Sequence, residues 1–203
     1  LNIFESSNLL GEMAEVKHGL STGKNEAVVR FWPEISWSEF GRGFESRSEA
    51  LVSKYKWFPY NKGGDFRNWY GNLESIVNWE NDGFELQTAK HPTSDRIWAH
   101  NFVLDSIFKE AIVWSKINTG APCFRLSPAG HLFDDASGVC TFSAEYGHFL
   151  LGLFKSRVNS EIQAVVNPTV NIQPANLRDI PVRLGGMNAV SEIVLRLLEV
   201  AKS

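Results

Sequence analysis

Ala111-Ile112-Val113-Trp114-Ser115-Lys116-Ile117, then Asn118-Thr119-Gly120, then Cys123-Phe124-Arg125-Leu126: this stretch decides the fold class. Two apolar runs rich in β-branched and aromatic residues flank a polar link containing glycine, the pattern of a β-hairpin. Working outward, Leu132-Phe133 and residues 139–142 read as further short strands. So do residues 27–32, ended by Pro33, and residues 76–79, closed by the turn Asn81-Asp82-Gly83. Residues 9–16 fit a strand or a short helix. A polar excursion over 36–53 leads into a helix near 48–55.

Downstream the period changes. Phe149, Leu150, Leu153, Phe154, Val158, Ile162, Val165 and Val166 fall on one face of a 3.6-residue repeat, which predicts a single helix over 146–166. Ser143 and Glu145 supply its N-terminal signal, and Asn167-Pro168 ends it, because a residue before proline is pushed out of the α region. Residues 169–172 and 179–182 read as extended. A last helix covers 188–201, after the breaker Gly185-Gly186. Hairpins in the middle and helices late predict an α+β fold with a mixed sheet. We expect one body over residues 1–185 and a terminal helix over 186–203.

Composition narrows the function classes. Hydrophobic content of 43% is that of a folded globular chain rather than a disordered one. The net charge of -3 offers no general attraction for nucleic acid, so any DNA site must be a local basic patch. Seven Trp and fourteen Phe are an unusual load, most of which we expect in the core. Cys123 and Cys140 lack a metal-binding spacing and read as a reduced pair. The five histidines are dispersed, so no metal site is expected. The first five residues carry no signal-peptide pattern and no apolar run is long enough to span a membrane, so the expected setting is the cytoplasm, without membrane contact. The first residue is Leu rather than Met, from which we expect a piece of a longer chain.

Five blocks then occur in order: Gly19-Leu20-Ser21-Thr22-Gly23-Lys24-Asn25; Lys56-Trp57-Phe58-Pro59-Tyr60-Asn61-Lys62-Gly63-Gly64 continuing to Trp69-Tyr70-Gly71-Asn72 and Val77-Asn78-Trp79-Glu80-Asn81-Asp82-Gly83; Ile112-Val113-Trp114-Ser115-Lys116-Ile117 with Phe124-Arg125; Leu150-Leu151-Gly152-Leu153-Phe154-Lys155-Ser156; and Asn167-Pro168-Thr169-Val170-Asn171-Ile172-Gln173 with Ile180-Pro181. Together they resemble the specificity region of BREX-type phage-defence methyltransferases and of related fused restriction-modification enzymes. Two departures stand out. Asn68 follows Arg67 where the family often has Lys, and residues 37–53 have no counterpart.

The resemblance implies a target-recognition domain similar to those of type I restriction specificity subunits, directing an adenine-N6 DNA methyltransferase in restriction-modification or phage defence. It implies double-stranded DNA and the N-terminal methyltransferase domain of the parent chain as partners. S-adenosylmethionine would be the cofactor of that separate catalytic domain, with none here, and the final helix would begin a helical spacer.

The residues themselves hold no methyltransferase machinery. No glycine-rich phosphate loop follows a strand, and Asn167-Pro168-Thr169-Val170 lacks the second proline and the aromatic of an adenine-binding loop. Asp134-Asp135 reads as a solvated turn rather than half of a nuclease site. For DNA reading, phosphates need charge and base edges need polar groups. The candidates are Lys17, Thr22, Lys24 and Asn25 in the first block; Lys62, Arg67, Asn68 and Asn72 in the second; and Lys116, Asn118 and Thr119 at the hairpin tip. Trp69 is expected to pack, and Arg125 either pairs with an acidic neighbour or touches DNA. The alternative reading is a protein-interaction module that docks other defence-system subunits, favoured by the negative net charge. A free-standing enzyme has no supporting constellation.

Overall fold

The structure, a computed structural model, describes residues 7–117, 122–167, 169 and 171–203. The described chain opens with β1 (Asn8–Leu9), α1 (Leu10–Met13), β2 (Ala14–His18), α2 (Asn25–Val28) and β3 (Val29–Phe31). Then come α3 (Arg47–Ser53), β4 (Trp57–Asn61), β5 (Ser75–Asn78) and α4 (Glu80–Thr88). The middle is β6 (Ala111–Ser115), β7 (Phe124–Ser127), β8 (Leu132–Phe133) and β9 (Ser137–Phe142). It closes with α5 (Gly147–Lys155), α6 (Arg157–Val166), α7 (Pro174–Arg178), β10 (Pro181–Val182) and α8 (Met187–Lys202).

The fold is α+β. One four-stranded sheet has the order β2-β9-β6-β7, and a second has the order β3-β5-β4-β8. The β6–β7 hairpin is antiparallel, with Val113 opposite Arg125. Every residue of β6 is buried because both faces of its sheet are covered. Ile112 and Trp114 face a core built with α5, α7 and α8, while Ala111 and Val113 face a second core shared with the other sheet. A strand covered on both sides needs no polar alternation, which is why it reads as a continuous apolar run.

Several elements depart from the sequence expectation or were not anticipated by it. The stretch around Trp57 forms β4, a fully buried inner strand between β5 and β8. Pro59 is tolerated there because pairing to β8 begins one residue later, at Tyr60. The expected strand over 27–32 divides into the helical turn α2 and the short β3.

The predicted single helix over 146–166 is two helices. Ser156 is extended (φ -73°, ψ 150°), and its Oγ accepts from the Asn159 N–H at 3.1 Å, capping α6. A serine oxygen offers the backbone a partner that competes with helix continuation, and here the cap prevails. The break also changes the buried face. α5 buries Phe149, Leu150, Leu151 and Phe154, whereas α6 buries Asn159 and Gln163 and leaves Val158 and Val165 exposed. Leu153 is only half-buried. α8 lies against α5 with Val194 and Leu198 in the core, at a close approach that Gly152 permits: a Cβ there would sit 2.6 Å from Val190 Cγ1.

Candidate nucleic-acid interface

The chain passes from one sheet to the other between β8 and β9, and the cleft forms at that crossing. Asp134, Asp135 and Ala136 make the crossing, and three other segments close around it. The Leu20 N–H donates to Phe133 O at 2.6 Å, and the Asp135 N–H donates to Leu20 O at 3.0 Å. The Lys116 N–H donates to Ala136 O at 2.9 Å. Gly19 and Gly63 make this closure sterically possible, since a Cβ at either would meet the backbone of Asp134 or Ala136 within about 2.5 Å.

The result is a cleft of about 650 Å³ whose walls include Thr22, Asn25, Gly63, Lys116, Asp135 and Asn171. Four of the five sequence blocks contribute to it. They are the loop after β2, the loop after β4, the end of β6 and the segment after α6. Lys62 stands beside it, with Nζ 4.0 Å from Asp134 Oδ2. Asp134 is buried, and its Oδ1 accepts from the Ala136 N–H at 2.8 Å. Asp135 is half-exposed and pairs with Lys116 at 3.4 Å. The aspartates are therefore floor and wall of a cleft, and Asp134 is not the solvated turn residue expected. Tyr60 lies beneath, its hydroxyl donating to Leu20 O at 2.9 Å. Burial raises its pKa well above the ordinary tyrosine value, with Asp134 acting the same way.

The candidate residues do not all gather here. Thr22 is buried and its hydroxyl donates to Asn25 Oδ1 at 2.6 Å, so the two form one unit on the wall. Lys17 lies on β2 and pairs with Glu15 at 2.8 Å. Lys24 turns away to pair with Glu85 of α4. Arg67 is exposed on the loop after β4. Asn68 Oδ1 accepts from Lys155 Nζ, and the buried Asn72 donates from Nδ2 to Asp65 O at 3.0 Å. Asn118 and Thr119 lie outside the described residues.

Trp69 packs against the helical core as expected. Arg125 is fully buried with Nη1 3.5 Å from Cys123 Sγ, and burial lowers its pKa. Asp135 and Asn171 were missed as site residues. Asn171 sat within a recognised block, and Asp135 had no signal beyond its lysine partner, which is brought near only by the β6–β9 pairing.

Asn167 Nδ2 donates to Asn171 O at 2.8 Å. No group of three or more His, Cys, Asp or Glu among the described residues could hold a metal ion. No helix among them is long and apolar enough to cross a membrane.

No family model matches the chain. The adenine-specific methyltransferase PglX of Lacticaseibacillus casei (strain Zhang) is 34% identical over 178 residues, covering 87% of this chain and 15% of that protein. The adenine-specific methyltransferase BrxX of Escherichia coli O9:H4 (strain HS) is 30% identical over 207 residues, covering 100% of this chain and 16% of that protein. The chain thus spans under a fifth of the length of these curated relatives. A solved structure from work on complex assembly and conformational transition of the type I R-M system is similar at TM-score 0.49 and 11% identity, over 96% of this chain and 38% of that one.

Proposed function

The homologues of this chain are adenine-specific methyltransferases of which it corresponds to a small part, and from that premise we propose that it is the target-recognition domain of such an enzyme. In this reading it binds a specific sequence in double-stranded DNA and brings an S-adenosylmethionine-dependent methyltransferase domain, elsewhere in the parent chain, to an adenine nearby. Residues 1–185 form the reading body, and α8 begins a connection to the rest of the parent.

The observation that carries the reading is the convergence of four separated sequence blocks on one cleft. Lys116 lines the cleft, Lys62 stands beside it, and Arg67 is exposed on the adjoining loop. Lysine and arginine hold phosphates, while Thr22, Asn25 and Asn171 offer the short polar groups that read base edges.

Substitution tests the reading. Lys62→Ala and Arg67→Ala should each weaken duplex binding across all sequences and lower the salt slope by about one unit, with the thermal melt unchanged. Unaltered affinity in both would remove the cleft from the reading and favour the docking module.

A further inference from the structure

Each lysine singled out for DNA ends on a carboxylate: Lys17 on Glu15, Lys24 on Glu85, Lys62 on Asp134 and Lys116 on Asp135. A surface built only to hold phosphates would leave its cations unpaired, because non-specific binding draws its strength from charge. Glu15 and Glu85 do not line the cleft, and Asp134 is the buried floor, engaged by the Ala136 N–H. Asp135 alone stands on the cleft wall with its carboxylate accessible, about a third exposed, beside a lysine that is equally so.

We propose that Lys116 and Asp135 form a specificity-determining pair, in which Asp135 accepts from the exocyclic amino group of one base in the major groove while Lys116 donates to an acceptor beside it. The proposal rests on the DNA reading above. Every base pair shows an amino donor (adenine N6 or cytosine N4) next to an acceptor (thymine O4 or guanine O6) in that groove, and a donor–acceptor pair of side chains is its complement. The backbone holds both residues in place, Lys116 through Ala136 O and Asp135 through Leu20 O. A carboxylate here repels phosphate in any wrong register. It is relieved where an amino group meets it, so it penalises non-specific binding and favours base-pair orientations that present the amino group to Asp135 over the reversed ones.

The test uses the 203-residue chain, with a duplex selected from a random library and a scrambled duplex of equal length. Asp135→Ala should cost roughly tenfold or more in affinity for the selected duplex, while affinity for the scrambled duplex holds or rises. Asp135→Asn, nearly isosteric, should raise scrambled-duplex affinity and serves as the same test if the alanine variant fails to fold. Equal shifts on both duplexes, or none, overturn the pair. Duplex binding without sequence preference by the unaltered chain also overturns it and leaves the cleft standing. Absence of any duplex binding defeats the DNA reading itself.

Discussion

Gly138 and Trp114 face one another across the β6–β9 ladder. The indole is fully buried, donates from Nε1 to Ile172 O at 3.1 Å, and covers Gly138 so closely that a Cβ there would lie 2.0 Å from Cζ2. Gly138→Ala therefore forces Trp114 off its rotamer and should cost about 1–3 kcal/mol or more; an unshifted thermal melt would show that the ring moves freely. Such a coupling is invisible in the chain, where the two residues are far apart and glycine at 138 reads only as a turn signal. The same holds for Asp134 and Asp135. Their partners Lys62 and Lys116 come from other strands, so the doublet looked like a surface turn until the sheets were assembled. Asn68 and Asn72 show the converse. Their residue type suits adenine, but their amides contact Lys155 and Asp65.

α5 holds the first sheet's helical face, and Phe154 is its centre, stacked on Phe124 of β7 with ring centroids 4.8 Å apart. Phe154→Ala should destabilise the protein by about 3–5 kcal/mol, measured by denaturant unfolding. Ser156→Ala, which removes the cap of α6, should cost about 1 kcal/mol. A melt insensitive to Phe154→Ala would contradict the packing assigned to α5. The periodic apolar pattern correctly placed α5, because its stripe is buried, but carried the helix too far. Val158 and Val165 continue the period while pointing to solvent, and periodicity alone cannot register a cap that redirects the axis. The hairpin β6–β7 was legible because both strands are apolar throughout. β4 was not, since its flanking lysines and Pro59 resemble a loop. The cleft-forming loops were legible only as recognised motifs, their polar residues being ordinary turn chemistry.

Across the molecule a net charge of -3 and a set of ion-paired lysines leave the cleft without a strong field. Two histidines couple protons to stability. Burial lowers the pKa of His131, and burial, then Lys116, lowers that of His18. The unfolded chain, near the ordinary value of about 6.5, then binds more protons than the folded one just below that pH. Stability is full above that value and is lost as pH falls through the window beneath it. The melting temperature should drop on going from about pH 7 to 5.5, with His131→Gln flattening the slope; an equal slope in the variant would assign the effect to other groups.

The central claim is that this chain grips duplex DNA through its cleft and the loops beside it. Fluorescence anisotropy of the chain with labelled duplex, at about 50 and 200 mM salt, tests it most directly. With two to five phosphate contacts, affinity should fall roughly ten- to 500-fold between the two conditions. Binding indifferent to salt, or none at the lower concentration, would contradict the claim.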